Sequence, residues 1–132
     1  MTDHNPLLDP IDGAEHQMFA GCQIDIVSAG SGRLKRIVYP SGHRWSTAIK
    51  PLVGTELCNH HHVGFLASGS LTFVYPDGCR LEYVAPVAVE VAPGHDAFVE
   101  GDKPAILVQV DFGPDTPTVL DLAPEHAHTT GG

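Results

Sequence analysis

The segment from Gly54 to Gly69, GTELCNHHHVGFLASG, gathers residue types that hold metal ions: Glu56, Cys58, His60, His61 and His62. Successive side chains of a β-strand point to opposite faces, so residues of equal parity share one face. Glu56, Cys58, His60 and His62 are all even-numbered and would point the same way in a regular strand, with His61 turned outward. Imidazole suits Zn, Fe, Ni and Cu, thiolate favours softer ions, and carboxylate favours harder ones. A cage needs a further ligand from another part of the chain, and APGHDAFV offers His95 and Asp96 directly after a Pro-Gly turn. The competing view makes the triple histidine a solvated strand edge on an empty scaffold. His4, His16, His43, His126 and His128 fall in expected loops or tails and read as ordinary structural or surface histidines.

Other chemistries find no support. Ser68 and Ser70 flank a glycine, without a nucleophile-elbow pattern. SAGSGRL is rich in glycine but leads into a strand, which argues against a phosphate loop. The three cysteines, Cys22, Cys58 and Cys79, have no close metal-binding spacing and do not suggest a disulfide framework.

The elements that must position these groups read as β-structure. CQIDIVSAG and GRLKRIVYP are short β-branched runs bounded by Gly and Pro, and HRWSTAIKP alternates Trp45, Thr47 and Ile49 with Arg44, Ser46 and Ala48. HVGFLAS and SLTFVY flank Gly69 and predict a hairpin; FVYPDGCRLEYVAP carries an Asp-Gly turn and predicts another. VAVEVAP follows, then DAFVEGDKPAILVQVDF with a turn at Gly101-Asp102. Residues 1–20 read as an N-terminal arm with one helical turn around Ala14 to Phe19, residues 21–113 as the β-domain, and residues 114–132 as a partly disordered tail. Val119, Leu120 and Leu122 of that tail could dock on the body. Trp45, Phe65, Phe73 and Phe98 are candidates for an apolar lining, or for plain core.

At 132 residues the chain suits one domain, which buries roughly two thirds of its unfolded surface. With 14 glycines and 11 prolines it favours short strands and many turns, as in a small sandwich or barrel. The net charge of −9 would repel a phosphate backbone, so nucleic-acid binding is not expected. All seven Lys and Arg residues lie between Arg33 and Lys103, leaving both ends acidic. No apolar run approaches the ~20 residues of a membrane span, and no signal-peptide pattern opens the chain. A cytoplasmic setting is expected.

The pattern resembles the cupin superfamily. Gly54, five residues and then His60-His61-His62 match the opening of the first cupin motif, and VAPGH is similar to the second. RWSTAIKPLVGTELCNHHHVGFLASG and APGHDAFVEGDKP look like a group of small single-domain bacterial cupins of unassigned reaction, over roughly residues 33–113. The resemblance implies an all-β fold, the cupin-type double-stranded β-helix or jelly-roll barrel, and a homodimer. It also implies one divalent metal ion (Fe, Zn, Mn, Ni or Cu) held by His62 and His95 with His60 and Cys58 as further ligands. Glu56 or Asp96 would act as a general base near it. Two registers remain open. No acid follows His62 before Gly69, where the family places a glutamate; anchored on Gly69 instead, His62 takes the glutamate's place, and Glu56 and Cys58 take those of the histidines. His95 directly follows Gly94, whereas the usual second-motif ligand falls near Ala97. The functions implied are an oxygenase or a Lewis-acid isomerase or lyase acting on a small organic molecule. A non-enzymatic module for a small ligand or metal, or a metal-free cupin that binds by shape, are the alternatives.

Overall fold

The structure, a computed structural model, describes residues 6–53, 62–112 and 115–120, of which residues 53, 116 and 117 are described by their backbone alone. The described residues form nine strands: β1 (Glu15–Phe19), β2 (Cys22–Ala29), β3 (Gly32–Tyr39), β4 (His62–Ser68), β5 (Ser70–Val74), β6 (Arg80–Val84), β7 (Val87–Val91), β8 (Asp96–Val99) and β9 (Ala105–Asp111). They form a six-stranded sheet, ordered β1-β2-β3-β9-β4-β7, and a three-stranded sheet, ordered β6-β5-β8; every pairing is antiparallel. Leu66, Val89, Val91 and Leu107 from the larger sheet meet Leu71, Phe73, Ala97 and Val99 from the smaller in one core. In β5, Leu71 and Phe73 are each 1% exposed on the core face, and Thr72 between them is equally buried.

The Asp77-Gly78 turn joins β5 and β6 as a hairpin, as the sequence predicts. The expected hairpin around Gly69 is instead a passage between sheets, since β4 pairs with β7 and β9 while β5 pairs with β6 and β8. Gly69 makes that corner at φ +80°, and a Cβ there would stand 2.4 Å from the Pro104 carbonyl oxygen. The turn at Gly101-Asp102 likewise carries the chain from β8 in one sheet to β9 in the other. Local turn signals mark where the chain bends, but strand partnership is decided by which faces can be buried together.

Two further expectations are corrected. The alternation in HRWSTAIKP does not make a strand: residues form the short helices α1 (Trp45–Ala48) and α2 (Lys50–Val53). Pro51 suits the first turn of a helix, and Trp45 is buried in the core while Leu52 is exposed. The turn expected around Ala14 to Phe19 is the edge strand β1, held by register pairs such as Gln17 with Ile24.

The face of the larger sheet turned away from the core carries a buried ion cluster. Arg36 and Asp25 are cross-strand partners, each almost fully buried, and Arg36 Nη2 donates to Asp25 Oδ2 at 2.7 Å. Asp25 Oδ1 also meets His16 Nδ1 at 2.7 Å, and Gln23 donates to Oδ2 at 3.3 Å. Arg36 Nη1 donates to the carbonyls of Leu7 and Asp9, at 2.8 and 2.5 Å, tying the first described residues over this face. A short helix α3 (Thr116–Val119) follows β9 in the chain; Val119 is exposed, and Leu122 lies outside the described residues. No helix among the described residues is long and apolar enough to cross a membrane.

Candidate metal centre

His62 opens β4 and His95 closes the turn that precedes β8, so the two come from opposite sheets. In β4 the even positions His62 and Leu66 are buried while Phe65 is 46% exposed, as a pleat requires. In the turn, His95 Nδ1 lies 2.8 Å from the Ala92 carbonyl oxygen. That bond spans the Pro93-Gly94 step and directs the ring between the sheets. The two ring centres stand 5.1 Å apart, with an interplanar angle of 52°. Phe73 packs its ring against both, with centres 5.6 Å from His62 and 5.0 Å edge-on from His95. Tyr75 completes the surround, 6.0 Å from His95, and its hydroxyl donates to the Ala92 carbonyl at 2.8 Å. Burial pushes the Tyr75 phenol up to about 12, with Glu90 and Tyr83 adding to the rise, so it remains a neutral donor.

The ring nitrogens can be told apart by their partners. A carbonyl oxygen only accepts, so His95 Nδ1 carries the proton and Nε2 carries the lone pair. His62 Nδ1 lies 2.9 Å from Gln109 Oε1, and with that oxygen as acceptor the ring takes the same Nδ1–H form. Metal-bound histidines characteristically donate their other ring N–H to a carbonyl or carboxylate. With a metal–nitrogen bond of about 2.1 Å, two imidazoles sharing a tetrahedral ion through Nε2 have centres roughly 5 Å apart. The observed separation suits that arrangement. Among the described residues no group of three or more His, Cys, Asp and Glu assembles that could hold a metal. Glu56, Cys58 and His60, the remaining residues expected from the first motif, lie outside the described residues.

Asp96 is placed differently from its expected role. Its Oδ1 accepts from the backbone N–H of Ser46, at 3.0 Å, and of Ala97, at 2.8 Å; its Oδ2 lies 3.6 Å from Arg44. Arg44 at the start of α1 supplies no side-chain cap, so the carboxylate caps that helix from β8. Of the aromatic residues considered, Phe73 walls the histidine pair and Trp45 lies in the core. Phe98 lies under the guanidinium of Arg44 at 4.4 Å, and Phe65 faces outward. His43 is not in a solvated loop: it is 5% exposed, with Nδ1 3.6 Å from Cys22 Sγ. His16 sits on β1 against Asp25, and His4, His126 and His128 lie outside the described residues. Sequence reading passed over Gln109, although a signal was available: it is the polar member of an inward-facing series with Ala105 and Leu107.

No protein-family model matches the chain, and neither does any curated protein sequence. Among solved structures it is similar to a cupin 2 conserved barrel domain protein from Salinispora arenicola CNS-205. That match has 15% identity and a TM-score of 0.56, over 86% of this chain and 94% of that one. A Neisseria meningitidis protein aligns at 12% identity and TM-score 0.47, over 69% of this chain and 84% of that one. CapF, solved with the inhibitor 3-isopropenyl-tropolone, aligns at 15% and 0.49, over 79% of this chain and 32% of CapF. The first of these and the two-sheet topology establish that the chain has the cupin fold, as the sequence resemblance implies.

Proposed function

We propose that the protein is a cupin that holds a divalent metal ion through Nε2 of His62 and His95 and binds a small organic molecule there. Cys58 and His60 are the candidates for completing the ligand set. The observation that supports this reading is the matched anchoring of the two rings: each Nδ1 faces a carbonyl oxygen, and the ring centres are 5.1 Å apart. When bound, such an ion would supply Lewis acidity or, as iron, a centre for oxygen activation. Within the chain, the Ala92 carbonyl sets the tautomer of His95, Tyr75 braces that carbonyl, and Phe73 keeps water from the inner side of the pair. The Asp96 carboxylate is committed to the first turn of α1, which favours binding over turnover. A cytoplasmic setting is part of the same proposal; among the described residues Cys22 and Cys79 are free thiols.

The burial of both imidazoles beside two aromatic rings favours a second reading, turnover as an oxygenase or isomerase/lyase, because a dry site strengthens electrostatic effects. Glu56 would then be the candidate base. Elemental analysis of protein purified without added metal, and after loading with Fe, Zn, Mn, Ni or Cu, tests the first reading. The expected result is near-stoichiometric metal in the unaltered protein and its loss in His62→Ala and His95→Ala. Failure to take up any of the five ions would end it, and unchanged metal in His62→Ala would remove that residue from the ligand set. Oxygen uptake by the iron form tests the second.

A further inference from the structure

Gln109 sits on β9 with 5% exposure, on the face it shares with the buried apolar residues Ala105 and Leu107. Burying a primary amide costs about 1–3 kcal/mol unless its groups are paired, so its presence asks for a reason. Its oxygen stands 2.9 Å from His62 Nδ1. The approach depends on the neighbouring strand: Gly64 is the cross-strand partner of Gln109, and His62 is two residues earlier on the same face of β4. A Cβ on Gly64 would lie 2.6 Å from the Gln109 Cα and 2.0 Å from the Val108 carbonyl oxygen. The glycine thus lets β9 draw close enough to bring the amide onto the ring.

His95 is served by a backbone carbonyl, which no substitution can remove, whereas His62 is served by a side chain. We infer that Gln109 is a positioning residue: its side-chain oxygen holds His62 in the Nδ1–H form, so that Nε2 carries the lone pair offered to a bound metal. This rests on the metal-binding reading for its consequence, but the tautomer itself is a property of the metal-free protein. It follows the logic by which outer partners of metal-bound histidines set ring orientation and basicity.

Long-range ¹H–¹⁵N NMR of metal-free protein, above the pH at which histidines ionise, reads the tautomer directly. The expected result is the Nδ1–H form for both His62 and His95. Gln109→Leu should release His62 to a tautomer mixture while His95 keeps its signature, which doubles as the control for folding. Gln109→Glu retains an acceptor and should keep His62 in the Nδ1–H form. Zn²⁺ affinity by competition with a chelator should fall about 10–100-fold in Gln109→Leu and stay near the starting value in Gln109→Glu. An Nε2–H form of His62 in the unaltered protein would overturn the inference. So would Gln109→Leu with tautomer and affinity unchanged. Protein that shows the Nδ1–H form yet binds no Zn²⁺ would support Gln109's hold on the ring and count against the metal-binding reading alone.

Discussion

At the scale of single residues, several buried polar groups carry consequences that do not depend on the metal. Burial works against the charge of Asp25, but hydrogen bonds from Arg36, His16 and Gln23 outweigh it and hold the carboxyl below its ordinary 3.8. A lowered carboxyl stabilises the fold above its unfolded value and withdraws that stability as pH falls through the native one. His43 is also lowered, from 6.5, because burial opposes its charged form more than Asp96 favours it. Its contribution is complete above 6.5 and is lost on acidification. Urea midpoints measured against pH should therefore decline first below about pH 6.5 and again below about pH 4. His43→Gln should flatten the first decline, and Asp25→Asn the second. Removing Arg36 alone, as in Arg36→Leu, should destabilise by about 3–5 kcal/mol, because it strands a buried carboxylate. Burial pushes the Cys22 thiol up to about 11. Iodoacetamide at pH 8 should accordingly spare Cys22 in native protein and modify it after unfolding, as mapped by mass spectrometry. Early alkylation of Cys22 would show that the Cys22–His43 contact is not closed in solution.

Between neighbouring strands, the constraint that matters most for the site is the closeness of β4 and β9. Gly64→Ala should force them apart and destabilise by more than about 2 kcal/mol, since the added carbon would meet backbone rather than a yielding side chain. Thermal unfolding and the His62 tautomer would both report it; an unshifted melting temperature would refute the close approach. The same level explains what the sequence could and could not disclose. The positions of β2 to β9 and the Asp77-Gly78 hairpin were legible because they follow from alternation and turn chemistry over a few residues, whereas the edge strand β1 was not. The passages at Gly69 and Gly101 were not, because a glycine bend looks the same whether the next strand returns to its neighbour or departs for the other sheet. The helices α1 and α2 were hidden for a related reason: in so short a run, Trp45, Thr47 and Ile49 fit an alternating pattern, while a carboxylate from β8 caps α1 from far along the chain. Asp96 could be seen as an acid beside a turn, but its employment there required coordinates. Gln109 and His62 met through a register that no local pattern reveals.

For the molecule as a whole, the exposed apolar groups bear on assembly. Phe65 pairs with Val108 across β4 and β9, and Val110 shares the outward side of Val108; Phe65 and Val110 are 46% and 38% exposed. We propose that this face meets a second copy in a homodimer, as the family resemblance implies. Sedimentation equilibrium should then give twice the chain mass, and Phe65→Glu should shift it toward the monomer. A monomer throughout the micromolar range would refute the proposal.

The topology also sets an order of events. β9 supplies Gln109 and separates β3 from β4, so it is inserted into the middle of the larger sheet although it is the last of the described strands in chain order. Gln109 lies 47 residues beyond His62 in the chain, so it is synthesised after the ring it contacts. The contact between Gln109 and His62 is thus completed only once β9 has been made, whereas the Ala92 carbonyl that anchors His95 is already in place.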